Sequence, residues 1–295
     1  MQTVSMIVAA RAALSQLRSP GATIGFVPTM GALHAGHLSL IRQARRENSV
    51  VVCSIFVNPT QFGPNEDYTR YPRRLEDDSR LLEQEGVAIL FAPTVSEMYQ
   101  PGYATRLDVG TIGSLWEGAI RPGHFNGVAQ VVTKLFNIVT PHRAYFGQKD
   151  AQQLAVIRQI VRDLNMPITI VACPTVRDSD GLALSSRNDY LTPAERHAAP
   201  VLYAALQAAA TTFQRGERRA AALVEIMRVY ATREPLCTLD YAAVVDSQSF
   251  QPLQEATVEA LLIIAGRFGS TRLIDNLPLA SLPVHEATSS TALGQ

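Results

Sequence analysis

From Thr23 to Cys173 the chain switches repeatedly between two hydrophobic patterns. Short unbroken apolar runs fall at Thr23–Pro28, Val50–Val57, Val87–Phe91, Ala144–Phe146 and Ile168–Cys173. Between them, at His37–Glu47, Arg73–Glu85, Phe125–Val139 and Ala151–Leu164, apolar residues recur at helical spacing. In Arg73–Glu85, for example, Leu75, Leu81 and Leu82 share one face. A strand that is apolar at every position has no solvent side, so it belongs in a sheet covered on both faces. The amphipathic helices between the strands supply that cover. The pattern predicts βαβ units and an α/β fold with a doubly wound, Rossmann-like parallel sheet.

The pattern changes after Arg187. Thr192-Pro193-Ala194-Glu195 carries the signs of a helix start: a capping hydroxyl, proline at the first helical position, and glutamate three residues after the threonine. An alanine-rich helix runs on to about Phe213, a second spans Arg218–Thr232, and Leu239–Val245 and Leu261–Ala265 read as strands. The expected organisation is a Rossmann-like domain over residues 1–175, a smaller α+β domain over 176–283, and a small, polar, disordered tail over 284–295. Met1–Leu17 reads as a short amphipathic helix, without the basic residues that precede the apolar stretch of a signal peptide. The longest apolar run, Ala260–Gly266, is far too short to span a bilayer.

Composition narrows the function classes. Of 295 residues, 47% are hydrophobic, and 26 Lys+Arg balance 26 Asp+Glu. That supports an ordinary core, and zero net charge leaves no general electrostatic footprint for nucleic acid or an anionic membrane. Cys53, Cys173 and Cys237 are far apart and in no CxxC or Cys/His pattern. They are expected as buried free thiols in a reducing cytoplasm.

Four clusters carry candidate chemistry. In Pro28–His37 a strand ends, a glycine-containing turn follows, and a helix begins at the second histidine. Such a turn presents backbone N–H groups and a helix N-terminus to phosphate. Gly31 and Gly36 admit a nucleotide close to the main chain, and His34 and His37 add donors for phosphate oxygens. There is no GxxxxGK[ST], and no GxGxxG after the first strand, so neither a P-loop nor a dinucleotide site is indicated. Asn58-Pro59-Thr60-Gln61 lies at the end of the next strand, where open α/β sheets bind ligands; its two amides suit hydroxyls or carboxylates. At Gly147-Gln148-Lys149-Asp150 another strand enters a helix, with Gln152 and Gln153 one turn on. Lys149 can reach a phosphate there and Asp150 can cap the helix. The loop Gly181–Asn188 carries Ser185, Ser186 and Arg187, two hydroxyls and a guanidinium able to wrap phosphates.

HxGH after the first strand of an α/β fold resembles the nucleotidylyltransferase superfamily, which includes the class I aminoacyl-tRNA synthetases. Taken in order, and with Gly118–Val128 and Gly266–Asn276 added, the blocks resemble the pantoate–β-alanine ligases from about Val27 to Asn276. Ser185-Ser186-Arg187 stands where the synthetases carry a KMSKS loop but lacks its paired lysines, which argues against a tRNA synthetase. The resemblance implies an enzyme of coenzyme A biosynthesis that forms pantoyl adenylate and pyrophosphate from pantoate and ATP. β-Alanine then displaces AMP to give pantothenate.

The resemblance also assigns residues. Met30, Gly31, Ala32, Leu33, His34, Ala35, Gly36 and His37 form the ATP turn, with His37 as acid or proton donor, His34 assisting, and Lys149 as a catalytic cation. Gly147, Gln148, Lys149, Asp150, Val176, Leu184, Ser185, Ser186 and Arg187 also contact ATP. Gln61 binds pantoate and β-alanine, Gln153 binds pantoate, and Asn58 joins the substrate site. Mg2+ is expected with ATP, held through phosphates and water and not by a protein-built metal site. The adjacent Asp77 and Asp78 read as a solvated helix face that touches that ion at most. A homodimer, and a covering role for the second domain, are implied as well. The rival readings are another adenylyl- or cytidylyltransferase on this fold, and a nucleotide-sensing module without catalysis.

Overall fold

The computed structural model describes residues 1–64 and 66–281, so the tail expected at 284–295 lies outside the described residues. The chain forms two compact units, one of Met1–Thr192 with Gln248–Gln251, the other of Pro193–Ser247 with the chain from Pro252 on. The boundary falls at Thr192 and not at residue 175. The intervening segment packs into the first unit, where Arg187 pairs with Asp67 and the Ser186 hydroxyl lies 3.5 Å from that of Tyr71.

The first unit holds strands β1 (Gln2–Val4), β2 (Ile24–Thr29), β3 (Val50–Ile55), β4 (Ile89–Phe91), β5 (Arg143–Gly147) and β6 (Thr169–Cys173). They form one sheet in the order β1-β4-β3-β2-β5-β6, every pair parallel. Its helices are α1 (Ile7–Leu17), α2 (Ala35–Glu47), α3 (Leu75–Gln84), the short α4 (Val95–Met98) and α5 (Glu117–Ile120), α6 (His124–Val139) and α7 (Ala151–Asp163). The edge strand β1 replaces the start of the expected N-terminal helix. Three residues are too few to set a period, and only pairing with Ile89–Phe91 fixes them.

Both faces of the sheet are covered, as unbroken apolar strands require. On β2, Val27 packs in a buried cluster with Leu40, Ile41 and Ala44 of α2. Its neighbour Phe26 points the opposite way, edge-on to Phe136 of α6 with ring centroids 6.4 Å apart. Each such fully buried side chain contributes about 1.5–3 kcal/mol relative to exposure. The chain leaves β2 toward β3 and β4 on one side and reaches β5 and β6 on the other. β2 and β5 pair only through Gly25–Arg143 and Phe26–Ala144, then part. That parting is the switch point where a doubly wound sheet opens a crevice for ligands.

The second unit contains α8 (Pro193–Ala198), α9 (Val201–Gln214) and α10 (Ala220–Thr232), followed by an antiparallel sheet β7-β8-β9. Its strands are β7 (Cys237–Asp246), β8 (Ala260–Phe268) and β9 (Thr271–Pro278). Ala205, Ala209 and Ala210 of α9 are buried, as are Leu223 and Met227 of α10. β9 escapes the hydrophobic pattern because three of its buried residues, Thr271, Asp275 and Asn276, are polar. All three cysteines are buried and free. No helix among the described residues is long and apolar enough to cross a membrane.

Candidate active site

The turn after β2 is built by an unusual backbone path. Gly31 and Ala32 both take left-handed conformations, with φ of 87° and 51°. Alanine pays steric strain there, so a strong partner must hold the turn. That partner is Asp78 of α3, 2% exposed, whose Oδ2 accepts the Ala32 amide at 2.9 Å and whose Oδ1 accepts the Leu33 amide at 2.8 Å. Asp78 is thus the buried anchor of the turn, whereas Asp77 pairs with Arg80 on the exposed side. The solvated-face reading holds for Asp77 and fails for Asp78.

α2 then starts with a capping box made from two imidazoles. His34 Nδ1 accepts the Gly36 amide at 3.1 Å, and His37 Nδ1 accepts the His34 amide at 3.4 Å. A ring nitrogen that accepts carries no proton, so each neutral ring bears its hydrogen on Nε2. The rings lie 4.1 Å apart. Burial, with His34 second, pushes His37 down to about 3; burial, with Lys149 second, lowers His34. Both rings are therefore neutral near pH 7, and each carries an Nε2–H to donate.

On the β3 side, Gln61 closes a single 3-10 turn, Pro59–Gln61. Asn58 lies beneath it, 1% exposed. Asn58 Oδ1 accepts from the Tyr99 hydroxyl at 2.8 Å and from the Thr60 hydroxyl at 3.0 Å. Its Nδ2 donates to Gln61 Oε1 and to the Gly127 carbonyl, both at 3.1 Å. Asn58 is therefore a support for Gln61 and does not itself line the cavity described below. The support also sets polarity: with Oε1 turned to Asn58, Gln61 directs Nε2 the other way, where it donates one hydrogen to Met30 Sδ at 3.2 Å and has the second left to donate. Gly127 is required by close approach, since a Cβ there would sit 2.3 Å from the Thr60 carbonyl oxygen. A further tie comes from α6, where His124 Nδ1 donates to the Gln61 carbonyl at 2.8 Å and Nε2 faces Arg121 Nη1 at 3.1 Å. Burial, with Arg121 second, lowers His124 to about 4, so its ring is neutral too.

β5 delivers the third group. Lys149 stands 3.6 Å from Asp150. Burial pushes the Asp150 carboxyl up, but Lys149 and Arg187 outweigh it and hold it below the usual carboxylate range. Asp150 makes no capping bond to α7. Gln152 is buried, its Nε2 donating to the Ile112 and Leu115 carbonyls at 2.8 Å each, while Gln153 faces the crevice. From the last loop, Arg187 reaches Asp67 through Nε at 3.3 Å and Nη2 at 3.2 Å.

These pieces converge on a cavity of about 230 Å³ in the β2–β5 crevice. Of the expected residues it gathers Met30, His34, Gly36, His37, Gln61, Gly147, Lys149, Asp150, Gln153, Val176, Leu184, Ser185, Ser186 and Arg187. Gly31, Ala32, Leu33, Ala35, Asn58 and Gln148 do not line it; the amides of Ala32 and Leu33 turn instead to Asp78. Arg121 and His124 do line it, although sequence reasoning gave them no role.

Neutral N–H donors, a lysine and an arginine at the mouth of a doubly wound sheet make this a site of the HxGH α/β class, suited to an anionic ligand. Residues 2–278 match the family described as pantoate-beta-alanine ligase. The pantothenate synthetase of Roseiflexus castenholzii is 56% identical, over 93% of this chain and 96% of that one. A solved pantothenate synthetase from Thermus thermophilus superposes with a TM-score of 0.90 at 53% identity, covering 95% of this chain and 99% of that one. A pantoate-beta-alanine ligase from Francisella tularensis, solved with beta-gamma ATP and beta-alanine, gives 0.79 at 36% identity, covering 96% and 99%. The chain belongs to the pantoate-beta-alanine ligase family, and its activity is that of the family, the joining of pantoate to β-alanine.

Proposed function

We propose that this cavity carries out the joining in two steps through pantoyl adenylate. In the first, a pantoate carboxylate oxygen attacks the α-phosphorus of ATP in line and pyrophosphate leaves. In the second, the amine of β-alanine attacks the acyl carbon, the acyl C–O bond breaks, and AMP departs. The observation that carries the reading is the facing of two walls. His34, His37, Lys149 and Arg187 supply donors and cations, and Gln61 and Gln153 supply amides beside them. Displacement at phosphorus needs positioning and charge stabilisation more than a covalent nucleophile, and these groups provide both. The Nε2–H groups of His34 and His37 meet phosphate oxygens as charge grows there. Lys149 and Arg187 offset the charge of the departing pyrophosphate, while Gln61 Nε2 and Gln153 orient pantoate. The Francisella relative, solved with beta-gamma ATP and beta-alanine, supports both as ligands.

Among the described residues no group of three His, Cys, Asp or Glu could hold a metal ion. Asp150 is the carboxylate lining the cavity, and Mg2+ carried in by the triphosphate and its waters would meet the protein there. Bound there, the ion adds charge neutralisation at the phosphates. Three buried free thiols suit a reducing cytoplasm, and the family resemblance implies a homodimer.

The test is AMP release by the purified chain with each substrate withheld in turn. AMP forms at the rate of pantothenate only with ATP, pantoate and β-alanine together. AMP formed from ATP alone, or formed as fast without β-alanine as with it, overturns the reading.

A further inference from the structure

The ligase reading leaves one charge without an assigned partner. Pantoate's carboxylate is consumed in the acyl bond, but that of β-alanine passes unchanged into the product. Its partner must be a cation near the amine's point of attack that the phosphates do not occupy.

Three cationic side chains line the cavity: Lys149, Arg187 and Arg121. Lys149, 3.6 Å from Asp150, and Arg187 both act on that carboxyl, as do His124 and His37 more weakly, and the two cations are assigned above to the phosphates. Arg121 belongs to the other wall, beside Gln61. Its Nε and Nη2 meet Glu66 at 2.8 and 2.6 Å, Nη2 also lies 3.4 Å from the Gln61 carbonyl oxygen, and Nη1 lies 3.1 Å from His124 Nε2. His124 donates Nδ1–H to the same carbonyl, so its Nε2 is an acceptor and fixes Arg121 from the third side. These bonds use four of the five N–H groups of a guanidinium and leave one on Nη1. The result is a rigid plane held against the residue that presents Gln61. The two-pronged pairing with Glu66 orients the guanidinium beside Gln61 and leaves a directional donor for a single carboxylate.

We propose that Arg121 is the carboxylate anchor of the amine substrate, receiving β-alanine beside Gln61 and selecting amino acids over simple amines. The proposal rests on the ligase reading, and its test separates the two. In full-length Arg121→Gln, pantoate-dependent ATP–pyrophosphate exchange, measured without β-alanine, stays within about threefold of the parent, whereas KM for β-alanine rises about 30-fold. The preference for β-alanine over propylamine falls by the same factor. Glu66→Gln, which keeps the guanidinium and removes its counter-charge, leaves KM for β-alanine equal or lower. Should Arg121→Gln fail to fold, Arg121→Lys carries the same test, with exchange intact and a smaller rise in KM. An unchanged KM, or exchange lost in step with β-alanine use, overturns the anchor. Absence of exchange in the parent chain would instead overturn the ligase reading.

Discussion

His37→Ala lowers pantoate-dependent ATP–pyrophosphate exchange by about 10²–10³-fold, the loss expected when one donor aimed at developing charge is removed. His37 is fixed by its Nδ1 bond to the His34 amide, so its Nε2–H is preorganised. Because burial lowers both imidazoles, with His37 at about 3, the donors stay neutral and exchange does not decline as pH rises through 6.5. An imidazolium acid would lose activity there. Stability carries the matching signature. The unfolded histidine, at 6.5, takes a proton before the folded one does. Its contribution is complete above pH 6.5 and is lost as pH falls from there toward about 3. Exchange rates from pH 6 to 9, with denaturation midpoints from pH 7 to 4, check both statements. A wild-type rate that halves with each small step above pH 6.5 would contradict the neutral-donor account.

Asp78→Ala destabilises the protein by about 2–4 kcal/mol and raises KM for ATP. Two amides of a strained turn, those of Ala32 and Leu33, lose a buried carboxylate and gain nothing in its place. Gly31 and Ala32 then relax from their left-handed conformations, and His34 and His37 move with the turn. Asp78→Asn restores part of the loss, since an amide side chain keeps one acceptor but turns a donor toward the second N–H. Urea denaturation gives the stability and steady-state kinetics the KM. An Ala variant as stable as the parent, with unaltered KM for ATP, would show that Asp78 does not hold the turn.

The contrast between His37 and Asp78 explains how far the sequence could be read. His34 and His37 stand in one local strand–turn–helix passage, and Lys149 stands in another, so periodicity alone placed them at the ends of β2 and β5. Asp78 reaches the turn across 46 residues, and His124 reaches Gln61 across 63. No local pattern distinguishes such carboxylates and imidazoles from surface ones. Asn58 shows the converse: its position beside Gln61 is local, but only the bonds from Tyr99 and to Gly127 reveal that its amide is held from within the fold. Among the elements, the interior strands were legible because both faces are apolar, while β1 was too short and β9 too polar on its buried face to register.

The adenylate is tested most directly by following oxygen. Pantoate labelled with ¹⁸O in its carboxylate is turned over with ATP and β-alanine, and the products are examined by mass spectrometry. Attack on the α-phosphorus followed by acyl transfer delivers one labelled oxygen to AMP and none to pyrophosphate. Label in pyrophosphate, or AMP free of label while pantothenate forms, would contradict the account.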